Sequence, residues 1–164
     1  MIHTIPQPSG AEAPIAISDR CTPMSYGIRT NMLAESRDPA NMQYVHKEDG
    51  KLYCKDRFDQ FIEKGRAVGV DEVFEHSFVP ASSYGRTASF DLYATDQRSA
   101  RYTSDPGMRL LANVEVHIHN PTGRLANRNA YELRAKMHTG RAELTLAVYD
   151  PQTGKQVKTT VNFL

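Results

Sequence analysis

The sequence predicts a mainly β protein whose strands form an antiparallel meander, closed into a sandwich or a barrel. Three observations support this fold class. Apolar and polar residues alternate in five segments of the second half, turn residues separate several of these segments, and no apolar run is long enough to cross a membrane. The 164 residues suffice for one domain with its own core.

Each predicted strand of the second half has one apolar face, because side chains alternate between the two sides of a strand. Two connections carry turn signals. Gly140 can adopt the positive φ that a hairpin needs, while Pro151 presets a turn that Gly154 closes. The five strands cover residues 87–93, 114–119, 131–137, 143–149 and 155–164.

The first half has weaker signals. Residues 24–30 and 73–79 are predicted as short strands, and residues 51–55 follow a turn signal at 48–50. The apolar residues of the segment 58–66 have helical spacing, which predicts a short helix.

The first 14 residues contain three prolines and a glycine. This composition is typical of a flexible linker or of a remnant left by cloning. We therefore exclude residues 1–14 from the predicted fold and assign residues 15–164 to a single domain.

Charge and cysteine content limit the function classes. Twenty Lys and Arg against 19 Asp and Glu give a net charge of +1, which argues against a nucleic-acid partner. The sequence has no phosphate-binding loop, so we expect that the chain neither binds nor hydrolyses ATP. Cys21 and Cys54 are too few for a disulfide scaffold and are expected to be reduced thiols.

No residue pattern indicates a catalytic centre. His117 and His119 would share one face of a strand, as a metal pair does, but a polar strand face explains them better, so no metal site is predicted. A binding site has more support. The apolar residues Ile28, Phe78, Ala88 and Phe90 either line a pocket for an extended peptide or belong to an ordinary core.

Two motifs near the ends of residues 17–164 resemble the substrate-binding domain of the heat shock protein 70 family, in its β-subdomain. TPMSYGIRT at 22–30 is similar to the family's T-P-L-S-L-G-I-E-T. ELTLAVYDPQTGK at 143–155 is similar to G-I-L-x-V-x-A-x-D-x-x-T-G-K.

Three further segments resemble the divergent heat shock 70 kDa protein 12 branch (12A and 12B). They are LYCKDRFDQFI at 52–62, SFVPA at 77–81 and SDPG at 104–107. The resemblance implies an antiparallel β-sandwich of about eight strands, without a helical lid, as the substrate-binding domain of residues 15–164. It also favours a strand over the helix predicted for residues 58–66.

The implied function is that of a peptide- or unfolded-protein-binding domain of a cytoplasmic, stress-response chaperone. Its partners would be extended hydrophobic peptides, with no membrane partner. ATP would act only in an ATPase domain of the parent protein, outside this chain, so the chain is expected to be no enzyme and to hold no cofactor. The alternative is a protein-interaction scaffold that has lost general peptide binding.

The resemblance also assigns site residues. Ile28, Phe78, Ala88 and Phe90 fall in the pocket, and Asn31 and Ala81 form the two halves of an arch over the peptide backbone. The family has a large apolar residue in place of Asn31 and a valine in place of Ala88. Residues 33–56 are an insertion without a counterpart in ordinary members.

Overall fold

The computed structural model describes residues 1–5 and 21–163, and it confirms the mainly β fold, with 53% of residues in strands. Its helical segments in these ranges are two 3₁₀ turns, Ala40–Met42 and Arg128–Ala130, neither of which could cross a bilayer. The strands are β1 (Ile2–Thr4), β2 (Ser25–Leu33), β3 (Gln43–Val45), β4 (Leu52–Ile62), β5 (Glu72–Pro80), β6 (Thr87–Thr95), β7 (Arg109–His117), β8 (Leu133–Thr139), β9 (Glu143–Asp150) and β10 (Lys155–Asn162).

The strands form two groups that meet at β1. One group has the order β10-β9-β8-β5-β1, and the other has the order β3-β4-β2-β6-β7. All pairings within the groups are antiparallel. The pairing of β1 with β2 is parallel, so the sheet is mixed and the prediction of a purely antiparallel arrangement is wrong at this position.

The second half follows its predicted alternation. Met137 of β8 lies opposite Leu146 of β9, and both are fully buried. Gly154, in the turn before β10, has a φ of 72°, as its predicted role requires, whereas Gly140 lies outside the left-handed region. These apolar faces pack into one core with the inward residues of β2, β5, β6 and β7.

The short helix predicted for residues 58–66 is wrong, because β4 continues as a strand through Ile62. Phe58, Phe61 and Ile62 are all buried. The pairing of β4 with β2 shifts register twice, which interrupts the simple alternation of the two faces. A strand buried at irregular positions produces the spacing that was interpreted as helical.

The exclusion of residues 1–14 from the fold is wrong for Ile2–Thr4, which form β1. This short segment pairs because it lies between two strands, β2 and β5, that both offer backbone hydrogen-bonding groups. Residues 6–14 lie outside the described residues.

Candidate functional site

The segment Met1–Ile5 lies in a cleft between β2 and β5. Its register places Ile2 opposite Pro80 and Thr4 opposite Phe78. The Ala81 N–H donates to the Met1 carbonyl at 3.1 Å, and the Ile5 N–H donates to the Ser77 carbonyl at the same distance. The cleft therefore holds an extended backbone as an added strand.

The inner face of the segment enters the apolar core. Ile2 is 1% exposed and belongs to the same buried cluster as the four predicted pocket residues. These four are fully buried, and the rings of Phe78 and Phe90 meet edge to face with centroids 5.5 Å apart. The four predicted pocket residues are Ile28, Phe78, Ala88 and Phe90.

Thr4 shares the inner side of the segment and makes polar contacts there. Its Oγ1 lies 3.1 Å from Thr30 Oγ1 and 3.2 Å from Asp59 Oδ2. The hydroxyl of Thr30 lies 3.1 Å from the Ile2 carbonyl, which it can donate to. Asp59 is also held by His76, whose Nδ1 lies 2.9 Å from its other carboxylate oxygen. Thr30 and Asp59 therefore offer hydrogen-bonding partners for a hydroxyl side chain at this end of the cleft.

The two predicted arch residues both lie beside Met1. Asn31 Nδ2 is 2.9 Å from Met1 Sδ, and Ala81 provides the N–H that binds the Met1 carbonyl. Each is also tied to the insertion. Asn31 donates to Tyr44 Oη at 2.9 Å, and the Ala81 carbonyl lies 2.6 Å from His46 Nε2. In this chain the insertion thus connects the two halves across the segment.

The outer face of the segment carries His3, which is 3% exposed. Its ring stacks on Tyr53, with centroids 4.3 Å apart, and meets the edge of His46 at 5.5 Å. Arg128 Nη1 donates to His3 Nδ1 at 2.9 Å, and Tyr44 Oη lies 3.4 Å from Nε2. Sequence reasoning identified none of these contacts.

Charge on this outer side is balanced by one ion pair. Arg128 Nη2 donates to Asp49 at 3.1 Å, and Tyr53 Oη donates to the same carboxylate at 2.6 Å. Although burial alone would raise it, the pKa of Asp49 is lowered overall by the hydrogen bonds from Tyr53 and the Lys51 N–H. Burial lowers the pKa of His3 to about 4, with a further contribution from the Arg128 cation. His3 is therefore neutral at pH 7.

The insertion that carries Tyr44, His46 and Tyr53 is anchored by a buried carboxylate. The Asp38 side chain accepts from Tyr102 Oη at 2.6 Å and from Arg101 Nη2 at 2.9 Å. Burial opposes ionisation of Asp38, but these donors lower its pKa to about 2 overall. The anchor, together with the pairing of β3 with β4, explains how the insertion presents these side chains at fixed positions.

The chain is similar to a curated human protein. Over 160 residues, 93% of the chain, the sequence is 27% identical to heat shock 70 kDa protein 12B of Homo sapiens. This similarity supports a heat shock 70-like relationship. It spans 23% of the length of that curated relative. No family model matches the chain.

Proposed function

We propose that the cleft between β2 and β5 binds an extended peptide, as the substrate-binding β-subdomain of a heat shock 70-like chaperone of the 12 branch. The observation that supports this is the segment Met1–Ile5, which is already held there as an added strand with Ile2 buried. The six residues assigned by resemblance lie around this segment or in the core cluster that receives it.

The arrangement suits peptide recognition for a physical reason. Backbone hydrogen bonds such as the one from Ala81 are independent of ligand sequence, while a pocket for alternate side chains selects among ligands. Burying one isoleucine contributes about 1.5–3 kcal/mol. A peptide with a single well-placed aliphatic residue would therefore gain most of its apolar contribution in this pocket.

A second function, an interaction scaffold that has lost general peptide binding, is favoured by the occupancy of the cleft. A tethered segment reaches an effective concentration on the order of millimolar, so a free peptide of equal intrinsic affinity competes poorly with it. The amide of Asn31 is also satisfied within the chain, by Tyr44 and Met1.

The remaining proposals concern the longer protein. Because the curated relative is about four times as long as the match, we place nucleotide chemistry in an ATPase domain outside this chain. Unfolded proteins in the cytoplasm would be the clients of the whole protein. The residues of this chain would bind without a cofactor and catalyse no reaction.

The test opens the cleft by substitution in the full chain. Ile2→Asp should release the segment, because an uncompensated carboxylate in the pocket is strongly disfavoured. A fluorescein-labelled apolar heptapeptide should then bind saturably, and at least about tenfold more tightly than to the unsubstituted chain. Val157→Asp is the matched control, since Val157 is 39% exposed on β10 and its substitution should leave binding unchanged.

Substitution at the pocket centre identifies the binding surface. In the opened chain, Ala88→Phe should fill space in the core cluster that receives Ile2 and weaken peptide binding at least about tenfold, or roughly 1.4 kcal/mol. Fluorescence anisotropy measures the affinity, and circular dichroism verifies the fold. Absence of saturable binding to the folded Ile2→Asp chain would favour the scaffold.

A further inference from the structure

The insertion contributes a group of aromatic and polar side chains on the side of the cleft that faces away from the apolar pocket. Tyr44, His46, Asp49 and Tyr53 come from residues 33–56, and Arg128 reaches them from the 3₁₀ turn Arg128–Ala130. Tyr44, His46, Tyr53 and Arg128 contact the side chain of His3, and Asp49 accepts hydrogen bonds from Arg128 and Tyr53. The resemblance assigned no role to this group.

The shape of this group requires a flat ring. Tyr53 lies parallel to the His3 ring, with an interplanar angle of 24°, and His46 approaches at 76°. Tyr53 is itself stacked on Tyr44, with centroids 5.9 Å apart. An aliphatic side chain at the position of His3 would lose the parallel contact, which favours aromatic partners.

The polar groups require a neutral imidazole rather than any other ring. A guanidinium only donates hydrogen bonds, so the nitrogen facing Arg128 must be an acceptor. This fixes His3 as the tautomer with a proton on Nε2, which faces Tyr44 Oη. A phenylalanine would stack but offer no acceptor, and a lysine would place a second cation beside Arg128.

The position of Arg128 is fixed by contacts other than the one with His3. It is 5% exposed, and it bonds the Pro80 carbonyl at 3.2 Å and Asp49 at 3.1 Å. These contacts connect the group to the end of β5, where the cleft begins. The donor aimed at His3 is therefore held in place by the fold.

Building on the proposed peptide-binding function, we propose that Tyr44, His46, Asp49, Tyr53 and Arg128 form an imidazole subsite. The cleft then takes extended peptides with the order aliphatic, histidine, threonine. The aliphatic residue enters the apolar pocket, the histidine enters the imidazole subsite, and the threonine meets Thr30 and Asp59. Met1–Ile5 is the representative of this class that the structure contains.

The test uses the full Ile2→Asp chain and three fluorescein-labelled peptides with capped ends. The first has the segment's own sequence, MIHTI; the second and third carry phenylalanine or lysine in place of the histidine. At pH 7.5 we expect the histidine peptide to bind about three- to tenfold more tightly than the phenylalanine peptide. We expect the lysine peptide to bind at least about tenfold more weakly than the histidine peptide.

Substitution of Arg128, the donor to His3, distinguishes a role in peptide recognition from a role in folding. Arg128→Met should reduce the preference for histidine over lysine to less than about threefold, because the repelling cation and the donor are both gone. Arg128→Lys keeps a cation and a donor and should retain that preference. A merely structural role of Arg128 would change all three affinities equally, which would overturn the imidazole subsite.

The outcomes distinguish the two proposals. If the folded chain binds all three peptides with equal affinity, the subsite is wrong and peptide binding stands. If the folded chain binds neither these three peptides nor any other apolar peptide, both proposals fail. Should Ile2→Asp prevent folding, nitrogen-15 NMR of the unsubstituted chain applies: the subsite requires the Nε2–H tautomer of His3 at pH 7, and the opposite tautomer would overturn it.

Discussion

The β8–β9–β10 meander and the cleft around β1 have the same strand geometry but opposite sequence locality. In the meander, each strand pairs with its neighbour along the chain, through turns of a few residues. In the cleft, Ile2 pairs with Pro80, almost half the chain away, and His3 contacts Arg128. The meander is held by apolar faces, whereas the cleft combines one apolar contact with a polar network.

This difference teaches that the two regions respond to different perturbations. Loss of a contact within the meander removes part of the core that the whole sandwich shares. Loss of a contact at β1 can release a five-residue segment while the remaining strands stay paired. Local opening with low free energy is common in such segments, and ligand-binding elements are often drawn from them.

The largest effect is expected from Ile2→Asp compared with Val157→Asp. The first substitution removes a side chain that is 1% exposed and should lower the free energy of unfolding by about 3 kcal/mol. The second alters an exposed position of the meander and should change it by less than about 0.5 kcal/mol. Urea unfolding followed by circular dichroism measures both.

Hydrogen exchange shows where the Ile2→Asp chain opens. The amide of Ala81, which donates to Met1, should exchange much faster, while the amides of β9 should lose protection only in proportion to global stability. Equal acceleration in both regions would contradict the distinction between them.

A smaller effect is expected from Tyr131→Phe beside the meander. Tyr131 Oη donates to the fully buried Asp150 at 2.6 Å, and it accepts the His119 N–H at 2.9 Å. Removing the hydroxyl should cost about 1–3 kcal/mol, since a buried carboxylate loses one donor. The midpoint temperature of thermal unfolding should fall. The Ala81 amide should lose protection from exchange only in proportion to global stability. A selective loss of protection at Ala81 would contradict the distinction between the two regions.

The smallest effect is expected for the pH dependence with which the segment Met1–Ile5 docks in the cleft. His3 has a pKa of about 4 when docked and about 6.5 when released, so the released state binds more protons between these values. Docking is therefore unaffected above about pH 6.5 and weakens as the pH falls towards 4. Exchange of the Ala81 amide, corrected for its intrinsic pH dependence, should report up to tenfold weakening per pH unit.

The control for this titration is His3→Phe, because other groups face the same space. Arg128, Asp49, His46, Tyr44 and Tyr53 surround the imidazole. Their contributions remain in the variant, while that of His3 is lost. An unchanged pH profile in His3→Phe would show that another group is responsible.

The meander was predictable from the sequence because its information is local. Leu144, Leu146 and Val148 occupy every second position of β9, and Gly154 supplies the positive φ that the turn after β9 needs. Resemblance added Asn31 and Ala81 to the four apolar candidates, and the structure places the six around Met1 or in the core that receives Ile2. Their role in peptide binding stays a prediction.

The parts that could not be predicted depend on distant partners. Nothing local distinguishes Ile2 from an apolar residue of a linker, since its burial requires β2 and β5. The convergence of Tyr53 and Arg128 on His3 likewise depends on three separated segments. The sequence offered one signal for a strand here, the positions of Ile2 and Thr4 on either side of His3. This alternation is too short to outweigh the following prolines, which indicate a linker.

The position of β1 in the sequence also determines when the cleft around it forms during synthesis. The segment leaves the ribosome before β2 and long before β5, its antiparallel partner. Until β5 is made, the cleft has only one wall. When the second wall arrives, the occupant is already tethered beside it, whereas any other extended chain must diffuse in. The cleft is thus completed in the presence of the segment that occupies it.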